Sequence, residues 1–407
     1  MTSAITFILL FITPFIIAPF GITQFENPKV IFAEAGIILL LVFKLFLDGK
    51  FPKNKILFIA TLLLIFADLV FFKNQNSIFG NVFRLQGIVM LWFMLIFSFV
   101  SSGDRLNKIY WYVYLALLLL ELAGTLYFSV NENNRFVGTL GEPNATAAFV
   151  IFLWPFGFFG IRKWGFWEKI GQVAMFAITI TILALTGSRS AMIAFIIQLI
   201  FMAFYDLKIS KIISFLTSIF IYLGSLVLPI FGKVGFENRA DIWRSAIFAN
   251  GNNFILGNGF GNLENALHIS AKNLGLLVQY SYVDSSHNLF LDWWVQGGVI
   301  GLILLFGFVF LSFKKFYKED NFREVVLLLG VVTVMSFNPA SIATLLGFWW
   351  LIGQGFAPTE NKYIEDFQNA KRVDQKQSNK PSYRIIFSRF PKSFALPEKA
   401  PNQKQNT

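Results

Sequence analysis

The chain contains no cysteine, so it has no disulfide framework, no thiolate nucleophile and no cysteine-ligated zinc. Histidine is nearly absent as well: His268 and His287 are the only two, too few for an all-histidine metal site. Charge is scarce, at 14% of 407 residues, where a soluble domain carries about 25%. Apolar residues make up 56%, with 51 Phe and 10 Trp, and they fall in uninterrupted runs. No soluble core absorbs that much apolar sequence. The runs approach the length of about 20 residues that a helix needs to cross a bilayer, and the aromatic residues suit lipid contact and interfacial belts. The net charge of +11 therefore fits a membrane surface better than a nucleic acid.

Reading between polar breaks predicts spans near residues 4–21, 28–47, 55–72, 87–101, 108–129 and 145–161. The second half continues with 170–186, 190–206, 210–231, 288–312, 324–337 and 339–355. The first run lacks the basic flank and small-residue cleavage site of a signal peptide and reads as a span. The last two runs are short and meet at Pro339, as a tight hairpin or one broken helix. The expectation is an all-α integral membrane protein, a polytopic bundle of about 12 spans. Residues 1–231 supply spans 1–9, residues 232–286 a long extracytoplasmic loop, residues 287–355 spans 10–12, and residues 356–407 a basic tail that reads as disordered and cytoplasmic.

Orientation follows from Lys and Arg, which cytoplasmic loops retain. Loops after even-numbered spans hold fifteen of them, from Lys44 to Arg323, against nine after odd-numbered spans, four of which share the one long loop. Even loops and both termini are therefore assigned to the cytoplasm. The ten basic residues of the tail could touch anionic headgroups, the plain alternative being a solvated tail. No internal repeat of the transporter kind is visible. Within the long loop, residues 239–250 space Ile242, Ala246 and Ile247 like an amphipathic helix at the outer interface.

Four outward arginines break the charge rule: Arg84, Arg135, Arg189 and Arg239. Arg189 lies in the short turn Thr186-Gly187-Ser188-Arg189-Ser190, at the start of a helix, where the positive end of the helix dipole already favours an anion. A phosphate resolves that conflict; an arginine reaching lipid phosphates is the plain alternative. Arg239 opens the loop helix, followed by Asp241, Trp243 and Arg244, a pattern that a surface salt bridge also explains. Arg135 precedes the Gly138–Asn144 turn, whose Glu142 is either a base, a cation partner or a simple turn carboxylate. His287 stands in Ser285-Ser286-His287-Asn288 where the long loop ends, with serine expected to cap the next helix. A neutral imidazole there suits a general base, against the common case of a structural histidine. Gly297, Gly298 and Gly301 are expected to let a second helix approach closely, and Gly257–Gly261 reads as a flexible turn lacking the context of a phosphate loop.

Taken together, His287, Asn288, nine residues and then Gly298-Val299-Ile300-Gly301 resemble the signature of the O-antigen ligase and polymerase superfamily of bacterial envelope glycosyltransferases. The Thr-Gly-Ser-Arg-Ser turn, Arg239-Ala240-Asp241-Ile242-Trp243 and Gly141-Glu142-Pro143-Asn144 are similar to family features in the same order. The resemblance implies a GT-C-like helical fold in the cytoplasmic membrane, with the active site facing outward. It implies transfer of a glycan from a polyprenyl (undecaprenyl) diphosphate donor to an acceptor hydroxyl, with inversion and without metal or cofactor. His287 would be the catalytic base. Arg189, Arg239, Arg84 and Arg135 would hold the diphosphate, with Glu142, Asn288, Asp241 and Trp243 in support. The acceptor would be lipid A core, another glycan or a protein, which leaves ligase, polymerase and protein O-oligosaccharyltransferase open. A transporter of lipid-linked sugars would want more charge at mid-membrane than Glu34, Asp68, Glu121 and Asp292 supply. The expected partners are the lipid-linked donor, the acceptor and the bilayer, with no nucleic acid.

Overall fold

The computed structural model describes residues 1–19, 22–48, 56–71, 78–104, 106, 110–128, 134–160, 165–207, 211–231, 239–276 and 283–357. The tail expected for 356–407 falls outside them from residue 358 onward, as do 232–238 and 277–282 of the long loop. Each of the twelve apolar runs overlaps a helix. These are α1 (Thr2–Phe11), α2 (Glu26–Phe43), α3 (Ile56–Phe71), α4 (Ile88–Val100), α5 (Trp111–Tyr127) and α6 (Pro143–Gly160). After them come α7 (Phe166–Thr186), α8 (Arg189–Asp206) and α9 (Lys211–Phe231). The long loop contributes α10 (Arg239–Phe248) and α11 (Leu263–Leu274), and the chain closes with α12 (Leu289–Lys318), α13 (Phe322–Met335) and α14 (Ile342–Phe356). No strand occurs among the described residues.

Among the described residues two of these helices, α7 and α12, are long and apolar enough to cross a membrane by that test alone; most of the others hold apolar stretches of 10–17 residues. The run at 4–21 is the clearest departure from expectation. Helix α1 stops at Phe11 and a 3-10 turn covers Thr13–Phe15, because Pro14 brings no amide hydrogen and restricts the residue before it. The last two runs form two separate helices, α13 and α14, joined by a short turn at 336–341.

Burial sorts the helices into an inner and an outer set. Nearly every residue of α14 is buried, and so are most of α13 and the stretch 145–157 of α6. Around them α3, α7, α9 and α12 present large apolar side chains outward, among them Phe66, Val173, Phe220 and Phe310, each more than 60% exposed. Each such side chain in water forgoes roughly 1.5–3 kcal/mol of burial, and patches of this kind mark membrane or partner surfaces. An apolar exterior around an aromatic-rich core is the construction of an integral membrane protein.

Polar contacts gather at the two ends. At one end Asp104 accepts from Thr2 and Thr6 and faces Lys44 at 3.8 Å, while Lys315 donates to the carbonyl of Gln354. At the other end the loops after odd-numbered spans meet: Asn27 reaches Val82, Lys29 reaches Thr139, Arg135 reaches Thr186, and Asn338 reaches Ser190. The loops after odd-numbered spans thus share one set of contacts, and Asp104, Lys44 and Lys315 belong to the other end.

Candidate active site

The His287 turn is assembled from the first turn of α12 backwards. Asn288 is the cap: its Oδ1 accepts from the amides of Phe290 at 2.9 Å and Leu291 at 3.2 Å, so the cap is asparagine and not a preceding serine. Asp292 then reaches back, taking the Ser286 amide at 2.8 Å, the Ser286 hydroxyl at 2.5 Å and the Ser285 hydroxyl at 3.1 Å. Ser285 in turn accepts from the His287 amide at 2.9 Å. His287 is held at φ +58°, a conformation a side chain other than glycine seldom adopts.

The same strain marks the arginine turns. Leu85 beside Arg84 has φ +54° and Asn134 beside Arg135 has φ +57°. Of the four described non-glycine residues with positive φ, three therefore lie in or next to candidate site residues. Strain costing on the order of 1–3 kcal/mol per residue persists where surrounding contacts over-determine the backbone, and it concentrates at functional sites.

Arg84 stands on a tight turn whose neck closes where Gly87 donates to Phe79, with Asn81 Oδ1 taking the Phe83 amide. Its guanidinium binds Asp284, a carboxylate three residues before His287 and 200 positions away in sequence. Burial disfavours its charge, but Asp284 and then Glu26 outweigh that and hold its pKa above the usual value. Glu142 also acts on Arg84, although its carboxylate caps α6, accepting from the Ala145 amide at 2.6 Å and from Asn144 at 2.8 Å. Glu142 thus behaves as a turn carboxylate.

Arg239 begins α10, as expected, and Ile242, Trp243, Ser245 and Ala246 form the buried face of that helix. Ile247 does not join them; it is exposed. Trp243 packs its ring against Phe337, and Asp241 lies half-buried in the first turn. Burial above all, and then the Arg239 charge, push His287 down to about 4, Asp284 opposing and Arg84 adding. The imidazole is therefore neutral at ordinary pH and can accept a proton.

Arg189 and Arg135 share a second turn. Gly187 ends α7 in the left-handed region, and Arg189 opens α8 with its side chain exposed. Arg135 ties that turn to the start of α6, donating to the Thr186 carbonyl at 2.7 Å and to Asn144 at 2.8 Å, while Ser188 donates to the same Asn144 oxygen. Behind them Glu121 accepts from the Thr139 amide and hydroxyl, and buried Lys29 donates to the Thr139 carbonyl.

What joins the two turns is the α13–α14 connection, which the sequence reading treated as a question of span count. Asn338 donates to Ser190, the Ala340 carbonyl accepts from Gln86 and Arg84, and Glu26 takes the Ile342 amide at 2.7 Å. The sequence offered no signal for Asp284, Glu26 or this connection beyond the nearness of Asp284 to His287.

Within the glycine signature Gly298 acts differently from expectation. At Gly298, with φ +58° and ψ −154°, α12 breaks, and the backbone of residues 254–259 enters the break. Asn258 and Gly259 donate to the carbonyls of Val295 and Gln296, and Val299 donates to Phe254, so the interrupted helix keeps its hydrogen bonds. A Cβ on Gly298 would lie 2.4 Å from the Ile255 oxygen, and one on Gly257 would lie 2.5 Å from the Gln296 oxygen. At Gly298 it is loop backbone that the glycine admits, and the Gly257 segment is a seated wedge, whereas Gly297 and Gly301 lie against Leu64 of α3 and do let a second helix approach.

The fold and site define a class: an all-helical, apolar-surfaced protein with a histidine and several arginines gathered at one polar end. Residues 174–306 match the family model described as O-antigen ligase. The matched segment runs from within α7 into α12 and includes the Arg189 turn, both loop helices and His287; it supports the O-antigen ligase superfamily and a glycosyltransferase function at the family level. No curated protein matches the chain.

Proposed function

We propose that this protein transfers a glycan from a polyprenyl diphosphate donor to an acceptor hydroxyl at the outer face of the cytoplasmic membrane, as an O-antigen ligase does. The observation that carries the proposal is the electrostatic grouping of Arg239 and Arg84 around a neutral, half-buried His287. His287 takes the proton of the acceptor hydroxyl while that oxygen bonds to the anomeric carbon. The bond from that carbon to the diphosphate breaks, and its electron pair leaves on the polyprenyl diphosphate. Arg239 and the exposed Arg189 receive the growing negative charge, as guanidinium groups do for phosphate oxygens. Arg135 holds the Arg189 turn through its bonds to Thr186 and Asn144. Arg84, already bonded to Asp284, fixes the segment leading into His287. Attack opposite the leaving group inverts the anomeric carbon.

The test supplies the protein in lipid with undecaprenyl diphosphate glycan and, in parallel, with lipid A core, a free glycan and a protein as acceptors. A new glycosidic bond of inverted configuration is expected, and the productive acceptor separates ligase from polymerase and protein-directed transferase. Retained configuration contradicts the single displacement. Movement of the donor across the bilayer without a new bond supports a transporter instead.

A further inference from the structure

Beside the His287 turn lies a cleft of about 120 Å³ that none of Arg135, Arg189 or Arg239 lines. The cleft is partly open, so it can take the edge of a ring without enclosing it. Its lining is mixed: Glu264, Asp284, Asp292 and Gln296 are polar, while Met90 and Trp349 are apolar. Arg84 is the one cation in the lining, and its guanidinium is bonded to Asp284. Among the described residues no three acidic or histidine side chains stand close enough to hold a metal ion, so the carboxylates are spaced apart and not gathered on one point. Carboxylates and apolar side chains in one lining match a pyranose, which carries hydroxyls along its edge and C–H groups on its face. A prenyl chain would set hydrocarbon against three carboxylates.

We infer that this cleft binds the terminal sugar of the acceptor glycan, and that it selects a neutral or amino sugar over one carrying a carboxylate or phosphate. The inference rests on the transferase reading for the word acceptor. Two links place the acceptor here. Ser285 and Asp292 line the cleft and also build the turn that carries His287, so a sugar in the cleft sits against the base. The arginines outside the lining suit the donor diphosphate, whereas three carboxylates against one cation repel a second anion. Glu264, in the first turn of α11 and bonded to Asn81, is the wall residue whose charge sets the preference.

The test is binding without chemistry. Methyl glucoside, methyl N-acetylglucosaminide and the methyl glycoside of glucuronic acid are titrated against the full chain in nanodiscs by saturation-transfer NMR. The two uncharged glycosides should bind and the uronic acid should bind at least about tenfold more weakly, the scale of one charged hydrogen bond. Glu264→Lys should reverse that order, a result that misfolding cannot produce. Equal or tighter binding of the uronic acid by wild type, or an unchanged order in Glu264→Lys, overturns the inference. Prior saturation with undecaprenyl diphosphate glycan should leave glucoside binding intact; displacement would assign the cleft to the donor and overturn the acceptor assignment. If the sugar order holds while no glycan is ever transferred, the transferase reading falls and the sugar site stands.

Discussion

At the scale of single residues, a neutral imidazole beside guanidinium groups fits the proposal that the site receives an anionic donor. With burial and Arg239 holding His287 near 4, the free protein presents a proton acceptor of low basicity. A bound diphosphate offsets the Arg239 and Arg84 charges and raises that basicity when the donor is in place. The expected pH profiles therefore differ: kcat/KM, which reports the free protein, should lose activity only as pH falls through about 4, while the acid limb of kcat should lie higher. Coincident limbs would contradict the account. The same depression has a stability consequence of fixed sign. The folded state resists protonation that the unfolded chain accepts near 6.5, so stability present above that pH should decline as pH falls from 6.5 towards 4. Thermal melting across that window, with His287→Ala as the comparison, checks it. Asn288→Ala removes the cap of α12 and should cost about 1 kcal/mol, read from the same melting curves.

At the scale of elements, α12 starts from the His287 turn and breaks at Gly298. Gly298→Ala puts a Cβ into a left-handed backbone and against the Ile255 carbonyl, so the wedge of residues 254–259 must leave its seat. We expect a loss of more than about 2 kcal/mol and faster amide exchange through 254–259. Gly307→Ala, farther along the same helix, meets only Leu57 at ordinary contact distance and should be neutral or stabilise by about 0.5–1 kcal/mol. Equal effects of the two would show that the break is incidental. The difference also explains what was legible in the sequence. Apolar runs, the helix starts at Arg189 and Arg239, and the place of His287 just ahead of α12 follow from local pattern, and the structure keeps them. The wedge, the Arg84–Asp284 pair and the Asn338–Ser190 bond join residues between about 40 and 200 positions apart, and no local pattern encodes such a meeting. Pro14 was in plain view, but its effect on α1 was masked by the apolar residues around it.

At the scale of the whole molecule, the charge bias and the two polar ends make one topological claim. The absence of native cysteine makes that claim easy to test. Lys272→Cys on α11 and Lys318→Cys at the end of α12 are both exposed positions at opposite ends of the bundle. A reagent confined to the outside of intact cells should label the first and spare the second; the reverse would turn the site inward. The central claim is that the gathered end performs transfer, and its most direct measurement is single-turnover transfer in lipid by wild type, His287→Ala and Arg189→Ala with labelled undecaprenyl diphosphate glycan. Loss of the base should slow the chemical step by about 10²–10⁴ while the donor still binds, and loss of Arg189 should weaken donor binding and slow the step together. Transfer by both variants at the wild-type rate would contradict the account.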